Sequence, residues 1–269
     1  MKISVAMVVH QPDTVQLQRT LQALDAALAM SEVSSCVMIA DNTPPSGRLS
    51  VAQQQHLLAL VPHATERQWQ ILQGNRGFGA GHNALLALTA SDCHLVLNPD
   101  LELAVNALHE GLAYLQQHPQ TVLVAPRVCD EQGNQQFLGK RYPSVWVLLL
   151  RAFAPAWLRN RNETLLAHYE ARDLQTQPVP AALPIASGAC MLCRTAALKA
   201  AGGFDERYFL YFEDFDLSMR LHAQGQLVFL PSLQAVHHGG YAARKGWRHI
   251  AWFAASAARF FNRFGWRWL

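Results

Sequence analysis

The chain has 269 residues, of which 51% are hydrophobic and 15% are charged, and its net charge is +3. This apolar content excludes a disordered protein, and the length allows a core that needs no disulfides. Residues 241–269 contain six Lys or Arg, no Asp or Glu, and four of the seven Trp. Residues 1–240 therefore carry a net charge of −3, so a mildly acidic body precedes a basic, aromatic tail.

Strand and helix patterns alternate through the first hundred residues. β-Branched apolar runs indicate strands, and apolar residues at helical spacing indicate helices. The expected elements are strands at 2–9, 36–40, 69–72 and 94–97 and helices at 14–30 and about 81–90. Such alternation predicts an α/β fold with a largely parallel sheet.

Polar residues follow all four predicted strands. They are His10, 41–42, 75–77 and 98–100. Each group alone is typical of an ordinary turn, since Asn, Asp, Gly and Pro dominate turns. Because the carboxyl ends of parallel strands share one edge of a sheet, the four groups together favour a ligand site there.

A glycine-rich loop, GNRGFGAGHN, separates the third strand from its helix. Glycines before a helix let backbone N–H groups approach an anion. The loop does not fit the dinucleotide fingerprint, because His82 stands where the third glycine is required. It also lacks the Gly-Lys-Ser/Thr of a Walker loop, so neither of these two phosphate-binding motifs is present.

No membrane-spanning helix is predicted, because the longest apolar run, from Val145, is interrupted by Arg151 and Pro155. Ile3–Val9 is too short for a signal peptide. The five Cys are odd in number and scattered, which indicates reduced thiols in a cytosolic protein. Cys190 and Cys193 form a CxxC, but no second ligand pair completes a zinc site, so packing is expected.

Three carboxylates lie within four residues, at Glu213, Asp214 and Asp216. Acidic residues favour a helix N-terminus, and the Asp216–Arg220 spacing supports a helix that begins near Glu213. Such a group is costly unless it is solvated, paired or bound to a cation. We expect Asp216 to stabilise the helix while Asp214 or Glu213 faces the strand edge.

Seven short motifs follow one another along the chain. They are VVH at Val8–His10, ADN at Ala40–Asn42, NRGFGAGHN at Asn75–Asn83, LNPD at Leu97–Asp100, SGACMLCR at Ser187–Arg194, GGFDERYFLYFEDFDLSMR at Gly202–Arg220 and VHH at Val236–His238. In this order they resemble the motifs of family 2 inverting glycosyltransferases of the GT-A type, most closely bacterial rhamnosyltransferases. LNPD followed by GGFDE and YFEDFDL is the specific part of the resemblance.

The resemblance implies a GT-A fold, a Rossmann-like, mostly parallel mixed sheet flanked by helices, and a nucleotide-diphosphate sugar as donor. Asp100 and His237 are the implied ligands of Mg²⁺ or Mn²⁺, with His238 as the neighbouring alternative. Asn98 replaces the first Asp of the family's DXD motif, which removes one charge. The implied donor-binding residues are His10, Asp41, Asn75, Gly77, Gly79, Asn83, Asn98 and Asp100. Phe78 is expected to pack rather than to stack on the nucleotide.

The resemblance also assigns the general base to Asp214, with Glu213 orienting the acceptor or the loop. Acceptor-binding residues are expected at Gly188, Asp205, Glu206 and Tyr211. The implied domain spans 1–240, with a nucleotide-sugar half at 1–126 and an acceptor and catalytic half at 127–240. Residues 127–183 either shape the acceptor site or are a packing excursion.

The tail, 241–269, is predicted to be an amphipathic helix. Its Trp and basic residues suit an anionic membrane surface, and the alternative is that its aromatic residues pack on the core. Nucleic-acid binding is not expected, because the body is acidic and carries no matching motif.

The implied function is transfer of rhamnose from dTDP-rhamnose to a polyprenyl-diphosphate-linked saccharide, at the inner face of the bacterial cytoplasmic membrane. Another donor such as a UDP-hexose, or a catalytically silent nucleotide-sugar-binding protein, are the alternatives.

Overall fold

The computed structural model describes residues 1–238 and 246–269. The strands are β1 (Lys2–Val9), β2 (Ser34–Asp41), β3 (Glu66–Ile71), β4 (Cys93–Leu97), β5 (Leu101–Leu103), β6 (Thr121–Cys129), β7 (Gln135–Gln136), β8 (Ala181–Ala182), β9 (Cys190–Arg194) and β10 (Gln226–His237). The helices are α1 (Thr14–Ser31), α2 (Val51–Ala59), α3 (Phe78–Ala87), α4 (Ala107–Gln117), α5 (Val145–Phe153), α6 (Ala156–Arg161), α7 (Glu163–Tyr169), α8 (Arg172–Gln175), α9 (Thr195–Ala200), α10 (Glu213–Leu221) and α11 (Trp247–Phe264), with a 3₁₀ turn at Pro45–Gly47.

The strands form one sheet in the order β3-β2-β1-β4-β9-β6-β10-β5, with β7 beside β6 and β8 beside β10. Strands β3, β2, β1 and β4 run parallel to one another, as do β6 and β10. Strand β9 is antiparallel to β4 and β6 and joins the two parallel groups. The predicted α/β fold with a mostly parallel mixed sheet is confirmed.

The element boundaries differ from the prediction at the third strand and its helix. Strand β3 begins at Glu66 rather than Trp69, because its register against β2 continues to Cys36. Helix α3 begins at Phe78 rather than near Gly81, directly after Gly77 with a φ of +91°. Helix α2 was not predicted, although Ser50 and Gln53 form a capping box at its start.

The CxxC pair lies in β9, in the centre of the sheet. Cys190 and Cys193 are both buried and free of disulfides. Burial raises the pKa of the Cys190 thiol to about 12, so the thiol stays protonated near neutral pH. The expected packing role of these two residues is confirmed.

Helix α11 packs against the body through aromatic side chains. Phe260 and Phe261 are buried in one cluster with Tyr208 and Phe212. The alternative expectation, that aromatic residues of the tail pack on the core, is therefore correct for Phe260 and Phe261. These two rings are not available to a membrane. Trp247 is instead 78% exposed. The predicted boundary at residues 240 and 241, with Arg244 and Lys245, lies outside the described residues.

Across residues 1–238 and 246–269, none of the helices combines the length and apolarity that crossing a membrane requires.

Candidate active site

The ends of the parallel strands bring three predicted donor-binding segments together. His10 follows β1, and its Nδ1 lies 3.1 Å from the carbonyl oxygen of Asn42 and 3.4 Å from Nδ2 of Asn75. His10 and Asn75 are both exposed at this edge. The expected convergence of the strand ends is confirmed, while the contact of these residues with a donor stays a prediction.

Asp41 is 1% exposed at the end of β2. One carboxylate oxygen accepts from the backbone N–H of Thr43 at 2.8 Å, and the other accepts from Trp69 Nε1 at 3.3 Å. Its carboxylate therefore links the ends of β2 and β3. These bonds do not test its predicted role in binding the donor.

The glycine-rich loop is held closely against a second loop. Gly77 has a left-handed φ, and a Cβ there would lie 2.3 Å from the carbonyl oxygen of Phe209. Asn42 donates to the Gly77 carbonyl at 2.9 Å, and Asn75 accepts from the Gly77 N–H at 3.0 Å. Only glycine fits this position, for both conformational and steric reasons.

Helix α3 anchors the GGFDE segment. Asn83 donates to the carbonyl oxygen of Phe204 and accepts from its N–H, both at 2.8 Å. Phe204 lies so close to Gly79 that a Cβ there would be 2.8 Å from the Cβ of Phe204. Phe78 packs edge-on against Phe204, so the expected packing role of Phe78 is confirmed.

Glu206 and Asp205 bind basic side chains within the protein. Glu206 accepts from Arg76 at 2.9 Å, and Asp205 accepts from Arg207 at 2.6 Å. The bond with Arg207 lowers the pKa of the Asp205 carboxyl to about 2. The bonds of Asn83, Asp205 and Glu206 and the close contact of Gly79 with Phe204 hold loops together. The predicted ligand contacts of these four residues stay predictions.

Asp100 and His237 meet at the end of β10. His237 Nε2 lies 3.4 Å from Asp100 Oδ2, and His237 Nδ1 lies 2.8 Å from Oε1 of Gln136. The other Asp100 oxygen is buried and has no hydrogen-bond partner among residues 1–238 and 246–269. The His238 side chain instead pairs with Glu102 at 2.8 Å, while its backbone N–H donates to the Asp100 carbonyl at 3.0 Å.

This pair fits a divalent cation that takes most of its ligands from elsewhere. The described residues contain no group of three or more potential protein ligands. One carboxylate and one imidazole suit Mn²⁺, or Mg²⁺ through the carboxylate, when phosphate oxygens and water complete the coordination shell.

The backbone N–H of Asn98 donates to the carbonyl of Ala189 at 2.8 Å, which places Asn98 beside the strand that follows Gly188.

Glu213 and Asp214, the acidic pair, begin α10 after a strained turn. Tyr211 and Phe212 have φ values of 71° and 63°, which non-glycine residues adopt at a cost. The two Asp214 oxygens accept from the N–H groups of Gly188 and Phe215, each at 2.9 Å. Such strain at consecutive residues is typical of functional sites.

The two carboxyls of the acidic pair differ in their surroundings. Burial and the charge of Asp214 raise the pKa of Glu213 to about 8. Burial also raises the pKa of Asp214, but two backbone N–H groups and the Lys140 ammonium oppose this rise. Near neutral pH Glu213 therefore holds its proton, while the two N–H groups that bond the Asp214 oxygens favour the ionised form that a base requires.

Asp214 lines a cavity of about 620 Å³, which we call the Asp214 pocket. Residues of the 127–183 segment form much of its wall, which favours the acceptor-site interpretation of that segment. Its wall includes Gln136, Lys140, Arg151, Tyr169, Ser187, Tyr211 and Glu213. Gln136 also contacts His237, so the pocket adjoins the Asp100–His237 pair.

Lys140 and Arg151 were not predicted as site residues. The sequence signals were present, since Lys140 lies in FLGKRYP and Arg151 interrupts an apolar run. Neither signal shows which surface the side chain faces. Only the packing of α5 and of the 137–143 segment brings both to the Asp214 pocket.

Comparison with known proteins supplies an independent line of evidence. No family model matches the chain. It is 28% identical over 254 residues to the N-acetylglucosaminyl-diphospho-decaprenol L-rhamnosyltransferase of Mycobacterium tuberculosis, covering 89% of this chain and 77% of that protein. It is 24% identical over 200 residues to the rhamnosyltransferase WbbL of Escherichia coli K12, covering 71% of this chain and 72% of that protein.

Solved structures show the same fold at low sequence identity. GalNAc-T7, solved with UDP, GalNAc and Mn²⁺, superposes with a TM-score of 0.68 at 15% identity, over 97% of this chain and 48% of that chain. S. aureus TarS 1–349 superposes with a TM-score of 0.57 at 15% identity, over 88% of this chain and 60% of that chain. The chain thus spans about half the length of these two structures.

The sequence relatives and the fold agree with the motif order. Both named relatives are rhamnosyltransferases, and both structural neighbours share the mixed sheet. The chain therefore has the GT-A fold, and its sequence is similar to those of bacterial rhamnosyltransferases.

Proposed function

We propose that the protein transfers rhamnose, with inversion at the anomeric carbon, from dTDP-rhamnose to a hydroxyl of a polyprenyl-diphosphate-linked saccharide. The observation that carries this proposal is the position of Asp214, whose pocket adjoins the Asp100–His237 pair through Gln136. The names of the M. tuberculosis and E. coli relatives support rhamnose, and the former supports a lipid diphosphate acceptor.

In this reaction Asp214 removes the proton from the attacking acceptor hydroxyl. The acceptor oxygen forms a bond to the anomeric carbon while the bond to the nucleoside diphosphate breaks on the opposite face. The N–H groups of Gly188 and Phe215 orient the Asp214 carboxylate, and buried Glu213 stays protonated beside it. A positioned base of this kind contributes about 10²–10⁴ in rate.

Asp100 and His237 would hold the divalent cation. When bound, the cation supplies positive charge that stabilises the departing nucleoside diphosphate. The buried, unpartnered Asp100 oxygen supports this assignment, because it is costly unless a ligand satisfies it. His10, Asn75 and the Gly77 loop line the neighbouring strand ends, where the nucleotide would bind.

We also propose that the protein works at the cytoplasmic face of the membrane, on anionic lipid. Helix α5 and the C-terminal segment adjoin each other, because the N–H of Trp146 donates to the carbonyl of Trp268 at 3.1 Å. Both segments expose aromatic side chains. Phe153 and Trp157 continue this surface and are 66% and 67% exposed. Arg159 and Arg161 on α6 are exposed and add positive charge, which suits anionic headgroups.

A donor panel tests the proposal. Purified protein is incubated with Mn²⁺, a prenyl-diphosphate-linked N-acetylglucosamine, and dTDP-rhamnose, UDP-galactose or UDP-N-acetylglucosamine. Transfer from dTDP-rhamnose alone, with the opposite anomeric configuration in the product by NMR, supports the proposal. Transfer from a UDP-hexose instead, or donor binding without transfer from any donor, contradicts it.

A further inference from the structure

Lys140 is a buried cation without a carboxylate bonded to it. It is 9% exposed, its backbone N–H donates to Ile185 at 2.9 Å, and its ammonium donates to the carbonyl of Phe137. The ammonium also lies 5.8 Å from the centre of the Tyr169 ring. A carbonyl and a ring stabilise an ammonium but do not neutralise it, and a buried Lys is ordinarily paired.

Arg151 brings a second cation to the same ring. Its guanidinium lies 5.3 Å from the centre of the Tyr169 ring, on the wall of the Asp214 pocket. Glu170 approaches Arg151 only to 3.9 Å and is bound more closely by Arg172 at 2.7 Å. Arg151 is therefore only loosely paired with a carboxylate, and its half-exposed side chain faces the pocket.

The carboxylates nearest to these cations have other partners. Asp214 accepts from two backbone N–H groups, Glu213 holds a proton near neutral pH, and Glu170 binds Arg172. Burial, and secondarily the charge of Arg151, lower the pKa of Lys140 to about 8, so Lys140 is still cationic at neutral pH. Two cations that repel each other in one cavity gain from an anion between them.

Helix α5 joins this cavity to an apolar surface. Leu148, Arg151 and Ala152 line the Asp214 pocket. Leu149 and Phe153, on the other face of the same helix, are 46% and 66% exposed. A ligand with an anionic group beside an apolar chain can therefore place the anion at Arg151 and lay its chain along α5.

We propose that Lys140 and Arg151 form a subsite for the diphosphate of the lipid-linked acceptor. The proposal rests on the proposed function, because it assigns the acceptor to the Asp214 pocket. Two diphosphates take part in that reaction, one in the donor and one in the acceptor. The apolar face of α5 favours the acceptor, since the donor site lies at the strand ends near His10 and Asn75.

A steady-state experiment at pH 7 distinguishes the two diphosphates. Lys140→Met and Arg151→Met are compared with Arg19→Met, a control on α1 whose exposed side chain does not line the pocket. The acceptors carry the same saccharide, either on a prenyl diphosphate or on a neutral alkyl chain. We expect KM for the diphosphate acceptor to rise about tenfold or more in the two pocket variants. KM for the donor and for the neutral acceptor should stay unchanged, and Arg151→Lys should recover part of the loss.

A rise in donor KM assigns the cations to the nucleotide and overturns the proposal. An equal rise for both acceptors indicates a purely structural role and also overturns it, as does an unchanged KM. Melting temperatures show whether each variant is folded. If Lys140→Met unfolds, Arg151→Met on the pocket wall carries the same test.

A binding measurement separates this proposal from the proposed function. Calorimetry measures farnesyl diphosphate and farnesol binding to the wild type and variants, each saturated with dTDP and Mn²⁺. Binding of farnesyl diphosphate that weakens about tenfold in both pocket variants supports the subsite, even if no rhamnose transfer is found. Equal binding of the diphosphate by wild type and both variants overturns it.

Discussion

Arg263 near the end of α11 donates from Nη1 to Oδ2 of Asp216 at 2.7 Å, and the Asp216 side chain is fully buried. Asp216 lies two residues after Asp214 on α10, and Arg220 holds its other oxygen at 2.6 Å. Arg263 also reaches Asp205 at 3.1 Å. The C-terminal helix is therefore bonded to the helix that carries the acidic pair and to the loop before it.

We expect Arg263→Met to lower the free energy of unfolding by about 2–3 kcal/mol, because it removes a charged partner from a buried carboxylate that keeps Arg220. Urea denaturation measures the change. Arg248→Met is the matched control, since Arg248 is exposed on the same helix, and it should change stability by less than about 0.5 kcal/mol. Equal stability of the two variants would show that the Arg263–Asp216 bond contributes nothing.

Asp214→Asn should lower kcat by about 10²–10⁴ while the melting temperature and donor KM stay near the wild-type values. The amide oxygen can still accept from the N–H of Gly188, so the local structure is kept, but the amide cannot take a proton. Single-turnover transfer to the lipid-linked acceptor measures the loss. A variant that keeps a tenth or more of wild-type kcat would contradict the assignment of the base.

The acid limb of kcat should follow the raised pKa of Asp214, because activity is lost as the pH falls through that pKa and the base is protonated. The Lys140 cation lowers this pKa, so Lys140→Met should move the acid limb to higher pH. A pH–rate profile with saturating neutral alkyl acceptor measures the shift without involving the diphosphate. The Arg19→Met profile should overlay the wild type, and a shift of the Lys140→Met limb to lower pH would refute this electrostatic account.

Asp100→Asn should weaken Mn²⁺-dependent binding of dTDP by about tenfold or more, because the amide replaces the anionic oxygen that would bind the cation. Calorimetry with and without EDTA measures the effect. Glu102→Gln is the control, since Glu102 pairs with His238 instead. If dTDP binds equally well without metal, and Asp100→Asn binds it as tightly as the wild type, Asp100 is not a ligand of the cation.

Membrane binding should depend on the exposed aromatic residues rather than on the presence of α11. Removal of residues 241–269 is a poor test, because it also removes the buried Phe260 and Phe261. The combined variant Phe153→Ser, Trp157→Ser and Trp268→Ser should lose flotation with anionic vesicles and keep the wild-type melting temperature. Leu88→Ser, at a residue 57% exposed on another surface, is the control. Flotation of the triple variant equal to wild type would exclude this surface.

Local sequence was sufficient for the elements whose patterns are strong. β1, α1, β2 and β4 were predicted close to their observed bounds, because apolar periodicity and turn residues mark them. The beginning of α10 at Glu213 was predicted for the same reason, from the acidic first turn and the Asp216–Arg220 pair. The motif order then indicated the fold, and parallel pairing explains why His10 and Asn75 meet.

Contacts between distant segments were beyond the sequence. Nothing local distinguishes a tail with exposed aromatic residues from one with buried ones. In the structure Phe260 and Phe261 are buried, whereas Trp247 and Trp268 are exposed. The basic residues of the tail also differ from one another. Arg263 is bonded to the buried Asp216, and Arg267 is exposed.

The sequence by itself determined the alternating fold, the edge at which the site lies, and the residue types that can perform the chemistry. The tertiary structure buried Glu213, gave the Asp214 oxygens two backbone N–H donors, and placed Lys140 and Arg151 beside Asp214. The physical reason is that pKa values and charge pairing depend on burial and on neighbours far apart in the chain. Periodicity and turn preference, by contrast, are properties of adjacent residues.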